Sequence, residues 1–154
     1  MGALTFHPPL GLEGLPEKEL DLAGLAAQAW DFDEERIEDA LPDLRRLAGT
    51  SGGARPKVLV GLPDSSGKGV LPGDGELPPN FAHWIVKFNS RADGADAGPL
   101  EFAYARMASA AHSEVPEHRL IETARGRFFA SRRFDRPGPG RRLGAGQYQH
   151  RGRQ

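Results

Sequence analysis

The sequence predicts an α+β fold, an antiparallel sheet with helices packed on it, and three observations carry that prediction. Residues 57–62 (Lys-Val-Leu-Val-Gly-Leu) and 83–89 (His-Trp-Ile-Val-Lys-Phe-Asn) are short apolar runs rich in β-branched and aromatic side chains, bounded by Gly, Pro, Asp and Ser. The segments before and after them repeat apolar residues at the three-to-four spacing of amphipathic helices. The third observation is scale. A chain of 154 residues with 38% hydrophobic and 27% charged side chains fits one ordinary domain with one core, while 20 Gly and 13 Pro predict many turns.

Taken in order, residues 2–6 form a short strand candidate stopped by Pro8 and Pro9. From Pro16 to Trp30, Leu20, Leu22, Leu25, Ala26 and Ala29 recur near helical spacing, with Glu17 and Glu19 in the first turn, where the helix dipole favours anions. A second helix is expected over residues 34–47, with Ile37, Leu41, Leu44 and Leu47 on one face, Arg45 and Arg46 at its C-terminal end, and Gly49 ending it. Residues 57–62 read as a buried strand. Residues 63–79 are a Gly/Pro/Asp/Ser-rich excursion suited to a mobile hairpin loop. In the strand at 83–89, alternation puts Trp84, Val86 and Phe88 on one face and His83, Ile85 and Lys87 on the other. Beyond the loop at 91–98, Pro99 opens a helix to about His112 with Leu100, Ala103, Met107 and Ala110 as its stripe. Residues 119–122 and 127–132 pair around the turn Thr123-Ala-Arg-Gly126, and a Pro/Gly/Arg-rich tail follows.

Composition excludes several classes. With no cysteine there is neither a disulfide framework nor a thiolate metal site, which fits a reducing cytoplasm. The first residues lack a basic stretch followed by an apolar run, and no window approaches the roughly 18 apolar residues of a membrane span. The net charge of −1 conceals a basic end: residues 125–154 hold nine arginines against Asp135 alone. That run matches no nucleic-acid-reading motif and reads as a solvated face or unstructured tail, so no direct nucleic-acid contact is expected.

Few groups carry chemistry. Around Gly49-Thr-Ser-Gly-Gly-Ala-Arg55, the adjacent Gly52 and Gly53 free backbone N–H groups to approach an anion, and Thr50 and Ser51 add hydroxyls; as structure alone the same stretch is a helix cap and linker. Gly61 to Gly69 is no phosphate loop, because five residues separate the glycines before Lys68 and no Ser or Thr follows it. Lys87 in an apolar strand is either an edge lysine or an inward cation with a partner. Glu101, fourteen residues on, is placed either to pair with it or to meet the helix dipole in water. A flexible turn able to wrap phosphates, then a strand, then a strand presenting a lysine paired to a helix carboxylate is the logic of a kinase small lobe. The five histidines show no zinc spacing, Asp93 and Asp96 lack the rest of a calcium loop, and no serine-histidine-aspartate set is arguable, so no metal or catalytic residues are assigned.

Gly-Ala-Leu-Thr-Phe near the start, Gly52-Gly-Ala-Arg-Pro-Lys57, Trp84-Ile-Val-Lys87-Phe, Glu101-Phe-Ala-Tyr-Ala-Arg-Met-Ala with Val115-Pro116, and Arg133-Phe-Asp-Arg136 together resemble the HipA family of bacterial toxin kinases over residues 1–143. The resemblance implies a serine/threonine kinase fold of which this chain is the small-lobe fragment, with ATP and magnesium as cofactors. It also implies an aminoacyl-tRNA synthetase as substrate class and a HipB-like antitoxin as partner. By position, Ser51, Gly52, Gly53 and Ala54 correspond to the phosphate-binding loop, with Ser51 or Thr50 as the site of autophosphorylation, Lys87 to the ATP lysine with Glu101 beside it, and Phe134 to the hinge against adenine. The acidic residue often found two positions before that phenylalanine is Arg132 here. The catalytic-loop aspartate and the magnesium ligands belong to a large lobe beyond the hinge, so the expectation is a truncated, cytoplasmic lobe that is inactive alone, with residues 144–154 a basic unstructured tail whose Arg/Gly/Gln composition suggests out-of-frame translation. The alternative is a non-catalytic module that binds an antitoxin or a partner kinase lobe.

Overall fold

A computed structural model describes residues 19–30, 55–64 and 69–136. The strand expected at 2–6, the helix at 34–47, the glycine turn at 51–54 and the tail at 144–154 lie outside these residues. The described elements run α1 (Leu22–Trp30), β1 (Lys57–Pro63), β2 (Leu71–Pro72), β3 (Phe81–Lys87), α2 (Ala97–Ala110), β4 (His118–Thr123) and β5 (Gly126–Arg132). The five strands form one antiparallel sheet in the order β2-β1-β3-β5-β4, with α2 inserted between β3 and β4. The α+β architecture is the one expected, and it is compatible with a kinase small lobe.

Register decides which residues share a face. Val58, Val60 and Leu62 of β1 stand opposite Val86, Trp84 and Ala82 of β3, and Ala130 of β5 lies beside Val86. These side chains, with Phe88 and Phe128, form the core, and Leu22, Leu25, Ala26 and Ala29 of α1 enter it. Trp84, Val86, Phe88, Val58 and Val60 are fully buried, each worth roughly 1.5–3 kcal/mol of hydrophobic transfer. Phe88 and Phe128 meet edge to face at 5.1 Å. On the opposite face, Lys57, Leu59 and Gly61 stand opposite Lys87, Ile85 and His83, and Phe129 and Ser131 continue the rows into β5. Most of that face is half-buried.

Three expectations are corrected. The first helix begins at Leu22 rather than Pro16, because the Asp21 carboxylate accepts the Ala23 N–H at 3.0 Å and so caps the helix there. Glu19 therefore lies upstream of the first turn rather than in it. The excursion at 63–79 contains β2, and its second half is tied down: Leu20 N–H donates to Val70 O at 2.7 Å and Gly73 N–H to Leu59 O at 3.0 Å. Gly73 is required there, since a Cβ would stand 2.4 Å from Val60 N.

The third correction concerns α2. Its inward side carries buried Gly98 and half-buried Glu101, Phe102 and Ala105, while Leu100 (56%), Tyr104 (68%) and Met107 (65%) face solvent. The apolar stripe at 100, 103, 107 and 110 is thus not the packed face. The cause is close approach. A Cβ on Gly98 would meet Arg127 O at 2.4 Å and Phe128 Cα at 3.1 Å, so only glycine lets the helix rest on the β5 backbone, and that contact fixes its rotation.

Candidate functional site

The site is built on the second sheet face, where β3 ends and α2 begins. Lys87 is the last residue of β3 and projects on the same side as Ile85, with Lys57 opposite on β1 and Phe129 opposite on β5. Its ammonium lies 5.4 Å from the Phe129 ring centroid, a cation–π distance. The same ammonium is hydrogen-bonded to Glu101 Oε1. Both side chains are about two-thirds buried, so the pair is screened by water less than a surface salt bridge is. The structure thus brings Lys87 and Glu101 together, and Lys87 is not an edge lysine: β3 is a central strand, flanked by β1 and β5.

Asn89 places the carboxylate. It is buried two residues past β3, donates from Nδ2 to Ala95 O at 2.8 Å and accepts the Gly98 N–H on Oδ1 at 3.1 Å. The N-terminal end of α2 is thereby capped from outside its own sequence, since Asp96 makes no capping bond. One turn further on, Glu101 faces Lys87. Arg55, two residues before β1, reaches the other Glu101 oxygen, Nη1 donating to Oε2 at 2.7 Å. Its Nη2 donates to Asn89 Oδ1 at 3.4 Å, and its Nε lies 3.4 Å from Asp93 Oδ2 as a charge contact without hydrogen-bond alignment.

Arg55 and Asn89 are absent from the site residues the sequence singles out, and Asp93 enters the sequence reading only as a rejected calcium ligand. Asn89 reads as the end of a strand, although an asparagine at the start of a Gly/Asp-rich loop before a helix is a capping signal. Arg55 reads only as part of a glycine turn.

The other expected residues are dispersed. Ser51, Gly52, Gly53 and Ala54 lie outside the described residues, just before Arg55. Phe134 is 46% exposed in the segment after β5. On either side of it, Arg133 and Asp135 form a bidentate pair, Nε to Oδ1 at 2.9 Å and Nη2 to Oδ2 at 2.6 Å. Burial opposes ionisation of Asp135, but the hydrogen bonds and charge of Arg133 outweigh it and hold the carboxyl below its usual range. The clasp joins residues on either side of Phe134. Arg132 points to the core face beside Trp84 and pairs with Glu117 at 2.9 Å and Asp64 at 3.2 Å, away from the Lys87 side.

Across the same face, His83 Nδ1 and Gly73 O are 3.2 Å apart, and Leu77 sits over Gly61, where a Cβ would meet it at 2.5 Å. The segment from Gly73 to Leu77 therefore covers one end of the face and the Glu101 turn of α2 the other. Half-buried Leu59 and Ile85 lie between them as an apolar floor beside two lysines. Such a floor suits a flat ring, and the cations beside it suit an attached anion. A family model described as HipA-like C-terminal domain matches residues 49–150. No curated protein and no solved structure matches the chain.

Proposed function

The chain belongs to the HipA-like C-terminal domain family, and from that premise we propose that it is the nucleotide-holding small lobe of a HipA-like serine/threonine kinase. The single observation that carries the reading is the Lys87–Glu101 pair, a strand lysine oriented by a helix carboxylate on an open sheet face. Residues of this chain fit ATP by chemistry. Lys87 and Lys57 supply positive charge for the phosphates, Glu101 orients Lys87, and Leu59 and Ile85 offer an apolar surface to the base. Magnesium would neutralise phosphate charge when bound; among the described residues no group of three or more His, Cys, Asp or Glu side chains is placed to hold a metal ion. In this reading the lobe holds nucleotide, while the aspartate that accepts the hydroxyl proton belongs to a large lobe.

The test is titration of the purified chain with ATP and magnesium, wild type beside Lys87→Ala. Binding by the wild type and a loss of tenfold or more in the variant is the expected result. Equal affinity in the two proteins, with the variant folded by circular dichroism, would overturn the assignment.

A further inference from the structure

Glu101 is held by two cations, one on each oxygen. Lys87 takes Oε1 and Arg55 takes Oε2, while Arg55 also reaches Asn89 and Asp93. Counting charges around Lys87 shows what this does. Among the described contacts, the Glu101 carboxylate would face the Lys87 ammonium alone without Arg55; with it, two cations share that carboxylate, and the same guanidinium lies 3.4 Å from Asp93 Oδ2. A carboxylate facing a single cation grips it with its whole charge, whereas one shared between two grips each less.

We propose that Arg55 is a positioning residue that takes up half of Glu101 and so leaves the Lys87 ammonium available to an incoming anion. Guanidinium geometry is needed for this. Its planar fork addresses Glu101, Asn89 and Asp93 from one centre, which an ammonium on a flexible stem does not reproduce.

The ligand named here rests on the nucleotide reading above, and the experiment separates the two. In the first arm, the free chain is treated with an amine-acylating ester and the rate at Lys87 is followed by peptide mass spectrometry. In Arg55→Met, Glu101 should grip Lys87 alone, and acylation should slow severalfold; in Glu101→Gln it should quicken, and adding Arg55→Met to Glu101→Gln should change nothing further. An unchanged Lys87 rate in Arg55→Met overturns the proposal.

The second arm titrates ATP and adenosine. Arg55→Met should weaken ATP about tenfold and leave adenosine unchanged, with Arg55→Lys between the two proteins; equal weakening of both ligands would mean a general loss of structure and also overturns the proposal. Should the wild type bind neither ligand while Lys87 acylation still responds to Arg55, the nucleotide reading falls and the division of Glu101 between the two cations stands.

Discussion

At the scale of single residues, the polar edge of the sheet is held by Arg119. Its guanidinium lies 4.4 Å from the centroid of the buried Trp84 ring, donates from Nη1 to Pro63 O at 2.9 Å and pairs through Nη2 with Glu117 at 3.1 Å. β4 and β1 are not neighbours in the sheet, so this one side chain spans from an edge strand across β5 and β3 to the end of β1. Replacing it with alanine should lower stability by about 1–2 kcal/mol, from a stacked cation and a hydrogen bond to a backbone carbonyl. Arg119→Lys should restore little, because an ammonium lacks the planar face that stacks and the fork that bonds in two directions. Urea unfolding of the three proteins measures both. The residues with chemistry were unevenly legible at this scale. Lys87 stood out because a cation in an apolar strand demands a partner, and fourteen residues on Glu101 was the nearest carboxylate on a helix. Arg55 gave no such signal, since nothing in a Gly-Ala-Arg-Pro string says that its side chain reaches Asn89 and Asp93 after β3 and Glu101 of α2.

At the scale of elements, strands were read more faithfully than helix faces. β1 and β3 announced themselves by β-branched runs, and burial along them alternates except at Gly61 and His83, which the segment from Gly73 to Leu77 covers. The hairpin of β4 and β5 closes at the turn expected for it, where Thr123 faces Gly126 and the glycine adopts φ +137°. In α2 the apolar count misled. Leu100, Met107 and Ala110 outweigh Gly98 and Glu101 on any hydrophobic scale, but steric access and an ion pair fixed the helix's rotation instead. The two faces should answer differently to mutation. Gly98→Ala forces a methyl into the β5 backbone and should lower stability by about 1–3 kcal/mol while drawing Glu101 off Lys87. Leu100→Ser on the exposed side should change stability by less than about 0.5 kcal/mol. Thermal melts of the two variants discriminate between this packing and its reverse; the opposite ranking would mean that the apolar stripe is the one that packs.

At the scale of the whole molecule, stability should fall with acid in two windows. His83 is pushed below its usual 6.5 first by burial and then by the nearby Arg136, so its proton is taken up more readily by the unfolded chain. Its contribution is therefore complete above pH 6.5 and shrinks as pH falls below that value. Glu117, held below its usual 4.5 chiefly by its hydrogen bond from Arg132, and Asp135, held below 3.8 as described above, contribute in the same direction at lower pH. Their contributions are present above those values and are lost as the folded-state carboxyls protonate. Melting temperature should be level above about pH 7, decline from 6.5 downward, and decline again below 4.5. His83→Gln, which retains a donor for Gly73 O, should flatten the first decline and leave the second; a first decline that persists in the variant assigns it to another group.

The strand order has a consequence for how the chain comes together. Among the described residues β4 finds its only hydrogen-bonded neighbour in β5, and β3 meets β5 rather than the strand that follows it, with Lys87 opposite Phe129. The sheet is thus two hairpins fastened by the last of its strands to leave the ribosome. A nascent chain that has emerged only through α2 has nothing for Gly98 to lean on. The carboxylate and its lysine take up their places after synthesis has passed them by roughly thirty and forty-five residues, when loop closure over those spans has been met.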